Sequence, residues 1–240
     1  MNAAVITVGD ELLVGDTANT NATWLCDRLD ARGVRVRRVT VVPDDVAEIA
    51  RIVNEYHAEY DAVVVTGGLG PTHDDVTMAA VAAAFGRDLV ANETAAAWLD
   101  DRGYSSDDLA AKTTHLPANC RPLRNEAGVA PGAVVESVYV FPGVPAEMKA
   151  MFESVETEFD GTRTHVVSVD VDEPESALLD RIAALRERFD VRVGSYPGET
   201  VTMKITAEDA DEAERAATWV REHADATDGG RDESPDGETV

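Results

Sequence analysis

Through residues 1–160, short Val-rich runs alternate with stretches of helical apolar spacing. Residues 3–8 read as a buried strand. Residues 19–32 carry Trp24, Leu25 and Leu29 at helical spacing, closed by Gly33. Residues 34–42 form the next strand, and Pro43-Asp44-Asp45 breaks the chain before a helix holding Val46, Ile49, Ile52 and Val53. A third strand is expected over 62–65 and a third helix over 75–85, with Gly86 after it. This alternation predicts an α/β fold, a mostly parallel sheet with helices on both faces. Residues 92–111 suggest two short helices on a surface excursion. Val134-Val135 and residues 138–141 return to strand. Pro142-Gly143-Val144-Pro145 then turns sharply into a helix from about 146 to 159, with Pro145 at its first position, where a missing N–H costs nothing.

Asp160-Gly161 marks the expected end of a first domain, residues 1–161. Beyond it, strand, helix, two strands and helix are expected over 164–171, 175–189, 191–193, 201–205 and 210–223. That β-α-β-β-α order predicts a small α+β second domain, residues 162–224. Residues 225–240 hold no apolar run and are mostly Gly, Ser, Pro and acids, so they read as a disordered acidic tail.

Composition changes the picture mainly through charge. Forty-six Asp and Glu against 21 Lys and Arg leave a net charge of −25 on 240 residues. Such a field repels phosphate backbones and anionic lipid, which sets nucleic-acid and membrane binding aside. Lys112, Lys149 and Lys204 are the only lysines. An acidic, lysine-poor surface suits a salt-rich (halophilic) interior, although a GC-rich genome also favours Arg over Lys. The chain has two cysteines, no apolar run near the ~20 residues that span a bilayer, and no basic leader before its first strand. A reduced, cytoplasmic setting is expected, with a homo-oligomer as the assembly.

The candidate chemistry lies at strand ends. Thr66-Gly67-Gly68-Leu69-Gly70-Pro71-Thr72 leaves a buried strand and precedes a helix, where open parallel sheets bind ligands. Glycines let backbone N–H groups approach an anion, though a tight turn at positive φ needs glycine equally. His73-Asp74-Asp75-Val76-Thr77 follows. Either Asp would serve as a helix N-cap. Two carboxylates beside an anion-binding loop also call for a cation between them and a phosphate. Gly9-Asp10-Glu11 and Pro43-Asp44 begin at two further strand ends, so Asp10, Glu11, Asp44, Asp74 and Asp75 are expected around one mouth.

Three motifs in order carry a resemblance. Gly9-Asp10-Glu11-Leu12-Leu13 stands with Asn19-Thr20-Asn21-Ala22, then the Thr66–Thr77 stretch, then Pro142-Gly143-Val144-Pro145 followed by Glu147-Met148. Together they resemble the competence/damage-inducible CinA family, in its molybdopterin-binding-like (MoaB/Mog) domain. The second domain resembles that family's small KH-type unit, and the nicotinamide-nucleotide amidase domain of longer members has no counterpart here. The resemblance implies that Asp44 and Asp75 are the acidic pair. Thr66, Gly67, Gly68, Gly70, Pro71, Thr72, His73, Gly132 and Gly143 would contact the ligand. Asp10 and Asp74 would join Asp75 around a divalent metal. Ala110-Ala111 departs from the family pattern, which commonly has Asn ahead of its basic residue, here Lys112.

The activity so implied is metal-dependent hydrolysis of a nucleotide diphosphate such as ADP-ribose or FAD, with Mg, Mn, Co or Ni and with potassium. Binding or processing of molybdopterin in molybdenum-cofactor biosynthesis is the alternative, and a non-catalytic nucleotide-binding module is the third. An RNA grip by the small domain needs a G-x-x-G loop, and Gly194 to Gly198 is one residue too long.

Overall fold

The computed structural model describes residues 1–104, 109–162 and 164–225. The chain divides into two compact units, Met1–Thr162 and a second beginning at Arg163. The first contains β1 (Asn2–Val8), α1 (Asp10–Leu13), α2 (Thr20–Ala31), β2 (Arg35–Val42), α3 (Val46–Glu59), β3 (Ala62–Thr66) and α4 (Thr77–Ala84). Then come β4 (Leu89–Ala91), α5 (Glu93–Asp100), β5 (His115–Pro117), β6 (Arg121–Leu123), β7 (Gly132–Val135), β8 (Val138–Phe141) and α6 (Pro145–Val155).

The six-stranded sheet has the order β2-β1-β3-β8-β7-β6. Its β1–β2, β1–β3 and β3–β8 pairs are parallel, and β7 is antiparallel to both β8 and β6. Successive residues of a strand point to opposite faces, so β1 and β3 feed two cores. Ala4, Ile6, Val8, Val63 and Val65 meet Ile49, Ile52, Val53 and Tyr56 of α3 with Met78 and Val81 of α4. Ala3, Val5, Ala62 and Val64 meet Leu25 and Leu29 of α2 with Met148, Met151 and Phe152 of α6. Burial on both faces is why these strands read as apolar runs. Side-chain caps fix where the helices start: Asn19 accepts from the Ala22 N–H at 3.1 Å and Asp45 from the Glu48 N–H at 2.8 Å.

From β1 the chain moves outward to β2, then crosses back to β3 on the other side of β1. That reversal places a crevice at the carboxyl ends of β1 and β3, the position where doubly wound sheets take ligands.

Several expectations need correction. Strands β4, β5 and β6 were not anticipated; at three residues each they are too short to show a period of two. The excursion holds one α-helix, α5, and a 3-10 helix at Leu109–Thr114, while 105–108 lie outside the described residues. Helix α4 begins at Thr77, not Asp75.

The second unit contains β9 (His165–Val171), α7 (Leu179–Arg188), β10 (Arg192–Pro197), β11 (Val201–Ala207) and α8 (Ala210–His223). Its antiparallel sheet, order β10-β11-β9, packs Val169, Met203 and Ile205 against Leu185, Ala216 and Val220. Gly194 to Pro197 belong to β10 and pair with Lys204 to Val201, so this stretch is ladder rather than a gripping loop. The acidic tail was expected from 225, but Asp225 is tied down. Its N–H donates to Glu173 Oε1 at 2.8 Å and its carbonyl accepts from the Asp172 N–H at 2.9 Å. Residues 226–240 lie outside the described residues. No helix among the described residues is long and apolar enough to cross a membrane.

Candidate functional site

Three strand-end loops meet at the crevice. The Gly9 N–H donates to Val42 O at 3.1 Å and the Asp10 N–H to Asp44 Oδ2 at 3.0 Å, joining the loops after β1 and β2. The loop after β3 is held by the Gly67 N–H on Phe141 O at 3.2 Å and by the buried Thr66 hydroxyl on Pro142 O at 2.7 Å. Gly67 has φ +110° and Gly68 φ +65°. A Cβ on Gly67 would strike Val8 O, and one on Gly68 would strike the buried Thr77 Oγ1. A Cβ on Gly143 would lie 3.2 Å from Gly67 Cα. Positive φ demands glycine at both 67 and 68, and at 67 the close approach to the Val8 backbone adds to it.

The acidic residues take distinct places. Thr72 offers its hydroxyl at 2.5 Å to both Asp74 Oδ1 and Asp75 Oδ2, and its one proton serves only one at a time. The Thr72 N–H also donates to Asp75 Oδ2 at 2.9 Å. The N-cap position of α4 is Val76, with no side-chain cap, so neither Asp caps that helix. A Cβ on Gly70 would lie 2.5 Å from Asp75 Oδ2, and one on Gly68 would lie 3.5 Å from Asp44 Oδ1. Both carboxylates thus border the glycine loop.

Burial pushes the Asp44 carboxyl above the ordinary carboxylate range; the Asp10 N–H opposes this, and the charges of Asp10, Glu11 and Asp74 add to it. Asp74 is held below that range, chiefly by the Thr72 hydroxyl and its own backbone N–H. His73 has a 99% exposed side chain, 3.6 Å from Asp74 Oδ1.

Beside the loop lies a cavity of about 540 Å³, a size suited to a small-molecule ligand. Gly68, Leu69, Gly70, Pro71 and Asp75 line it, with Pro142, Gly143, Val144 and Glu147, and with Tyr104, Thr113 and Gly128 to Ala130. A smaller cavity of about 120 Å³ shares Gly143 and is lined by Thr66, Gly67, Glu11, Asn19 and Asn21, among others. There the Asn21 Nδ2 donates to Gly143 O at 2.7 Å, and its Oδ1 has no partner among the described residues.

Of the ligand contacts expected from sequence, Gly68, Gly70, Pro71 and Gly143 line the large cavity, and Thr66 and Gly67 the small one. Thr72 and His73 line neither. Gly132 lies in β7, lines neither cavity, and a Cβ there would strike Met151 Sδ, so its small size serves packing of the sheet against α6. Glu147, Asn125 and Tyr104 received no role from sequence. Glu147 stood inside a quoted motif, and Asn125 with Gly128 had a turn's spacing, but nothing local linked the two.

Among the described residues no three His, Cys, Asp or Glu side chains converge as a metal cage. The charges of Asp10, Glu11 and Asp74 all bear on Asp44, with no basic side chain among the causes of its shift. One or two carboxylates completed by phosphate oxygens and water are what Mg²⁺ ordinarily accepts, so the donor set suits a cation that arrives with a phosphate ligand.

Comparison with known proteins gives a consistent picture. Residues 4–160 match the family model described as a probable molybdopterin binding domain. A protein of Archaeoglobus fulgidus is 37% identical over 224 residues, covering 92% of this chain and 97% of its own. A protein of Thermococcus kodakarensis is 39% identical over 241 residues, covering 92% and 96%. Among solved structures, CinA of Thermoplasma acidophilum is 40% identical with a TM-score of 0.63, over 66% of this chain and 97% of that one. MoaB of Thermus thermophilus is similar at 19% identity and a TM-score of 0.43, over 64% and 88%.

Proposed function

This chain belongs to the probable molybdopterin binding domain family, and from that premise we propose that its strand-end crevice binds a phosphorylated nucleotide or pterin and hydrolyses its diphosphate linkage. The observation that carries this is the placement of Asp44 and Asp75 against a loop in which side chains are sterically excluded, with neither Asp75 nor Asp74 needed as a helix cap. The backbone of Gly68, Leu69 and Gly70 borders the cavity and receives the phosphates. Asp75 would be the carboxylate that holds a divalent cation (Mg, Mn, Co or Ni), with Asp74 and Asp10 in support through water or phosphate oxygens and potassium accompanying; the cation would supply neutralisation of phosphate charge. Asp44 takes the proton of the attacking water; the P–O–P bridge opens and two phosphate monoesters leave.

The test is a panel of ADP-ribose, FAD, NAD and CoA with each of the four cations at high KCl, run on wild type, Asp44→Asn and Asp75→Asn. Loss of hydrolysis in both variants by two orders of magnitude is expected. Wild-type rates in both would overturn the assignment. Pterin binding without turnover is the second reading. The mostly apolar lining and the Tyr104 ring favour a ring-bearing ligand, as does the family description. Pterin affinity with no diphosphate cleavage in the same panel would select it. Nucleotide binding without cleavage would select the non-catalytic module.

A further inference from the structure

Away from the glycine loop, the large cavity carries one charged group among the described residues, and that group has an unusual support. Glu147, in the first turn of α6, lines the cavity, and among the described residues it takes part in no ion pair. Its Oε2 accepts from Asn125 Nδ2 at 2.6 Å. Asn125 is only 5% exposed. Its Nδ2 also donates to Ala130 O at 2.9 Å, and its Oδ1 accepts from the Gly128 N–H at 2.7 Å. All of its hydrogen bonds therefore fix the 125–130 turn and aim Glu147. Arg102 braces the same turn by donating to Gly128 O and Glu126 O. A Cβ at Gly128 would strike the Glu147 carboxylate, so the turn packs directly on it.

Besides Thr113 and this carboxylate, the cavity lining away from the glycine loop is apolar: Val129, Ala130, Pro142, Val144 and the ring of Tyr104. Val144 is 53% exposed and Tyr104 36%, leaving apolar surface open to a ligand. An aromatic face beside aliphatic walls suits a planar ring. A carboxylate in such surroundings needs donors, and it accepts best from two adjacent N–H groups in one plane. A ring N–H next to an exocyclic amine supplies them; guanine and pterin share that edge as the 2-amino-4-oxopyrimidine ring within each, the oxo carbon being C6 in purine numbering. Adenine sets its amine beside an acceptor nitrogen, whose lone pair faces the carboxylate.

We propose that Glu147, positioned by Asn125, reads the 2-amino-4-oxo edge of the ligand ring, so that the cavity takes a guanine- or pterin-type ring in preference to adenine. This rests on the glycine loop being the phosphate end of the same cavity. In that arrangement one end reads the ring and the other the diphosphate.

The experiment is calorimetric titration of the full chain, with Mg²⁺ at high KCl, against GDP, IDP, ADP, 6-hydroxymethylpterin diphosphate and inorganic pyrophosphate. IDP lacks only the 2-amino group of GDP, and pyrophosphate reports the phosphate end alone. Wild type is expected to bind GDP or the pterin diphosphate at least about tenfold more tightly than IDP and ADP, the scale of a lost buried hydrogen-bonding partner. The tighter of those two names the source of the ring. Glu147→Gln keeps an acceptor for Asn125, so the turn is retained, and the preference should fall within about threefold. Equal wild-type affinity for GDP, IDP and ADP overturns the inference while pyrophosphate binding leaves the diphosphate reading standing. An undiminished preference in Glu147→Gln also overturns it. If neither pyrophosphate nor any diphosphate binds, the diphosphate reading itself falls and takes this one with it. Should Glu147→Gln not fold, the wild-type comparison of GDP with IDP decides alone.

Discussion

The two units differ in where acidic side chains and positive-φ glycines gather. In the second unit, polar groups at the sheet find partners: Arg181 pairs with Glu173 at 2.5 Å, the Thr202 hydroxyl donates to Asp170 at 2.6 Å, and Ser195 donates to Glu175. In the first unit, the ends of β1, β2 and β3 gather Asp10, Glu11, Asp44 and Asp74, and nearby glycines at positive φ press on backbone. A fold under no demand except stability pairs its charges. Carboxylates gathered beside turns open only to glycine set the candidate crevice apart from the ion-paired scaffold of the same unit, where Arg28 meets Glu156 and Arg121 meets Glu158.

The contrast breaks most severely at Gly67. Gly67→Ala places a methyl against Val8 O at a φ that L-residues avoid, costing on the order of 3 kcal/mol. The expected result is a large drop in melting temperature with loss of ligand binding; a wild-type melting curve would show that the loop can relax at no cost. Asp75→Asn and Asp44→Asn should lower diphosphate hydrolysis by about 100-fold, roughly 3 kcal/mol of transition-state stabilisation. Melting in metal-free buffer should stay constant or rise slightly, because a repelling carboxylate has gone. A fall in melting temperature matching the loss of rate would reassign both residues to the scaffold.

Salt sharpens the comparison next. Between 2 M and 0.1 M KCl the screening length grows from about 3 Å or less to about 10 Å, so a chain with net charge −25 should melt at lower temperature in dilute salt. Identical melting at both concentrations would defeat the salt-adaptation expectation. The smallest effect is expected at Glu173. The Arg181 guanidinium, and then the Asp225 N–H, hold its carboxyl below the ordinary range. A depressed acid stabilises the fold above its unfolded value, about 4.3, and that contribution is lost as pH falls through the folded value. Glu173→Gln should therefore flatten the acid limb of the second unit's stability, followed through Trp219, while leaving the limb of the first unit unchanged. An acid limb identical to wild type would show that the Glu173 pairing contributes nothing.

Much of the first unit was legible because its central strands are buried on two faces. Residues 3–8, apolar except for Thr7, and the unbroken apolar run 62–65 stand out for that reason, and the capping residues Asn19 and Asp45 stand directly before their helices. The glycine loop was legible as a loop with special backbone needs. Its partners were not. Asp75 had the look of a helix cap, and only the Thr72 contacts show it folded back on its own loop. Gly132 resembled a ligand-facing turn, whereas Met151 and Val140 O crowd it in β7. Three-residue strands such as β4 and β5 pair only with each other and leave no period to read.

Local pattern therefore determined the alternation of strands and helices, the acidic surface and the glycine-rich strand end, since each depends on neighbours a few residues apart. Strand order was decided only in three dimensions. The crossing of the chain from β2 back past β1 to β3 creates the crevice, and no local spacing encodes it. Tertiary structure likewise brought Gly67 against Val8 O, joined Thr66 to Pro142 across 76 positions, and set Asn125 beneath Glu147. Those contacts come from sheet pairing and from packing of α6 against the sheet. The groups that make the site were present in the chain; only the fold put them at one mouth.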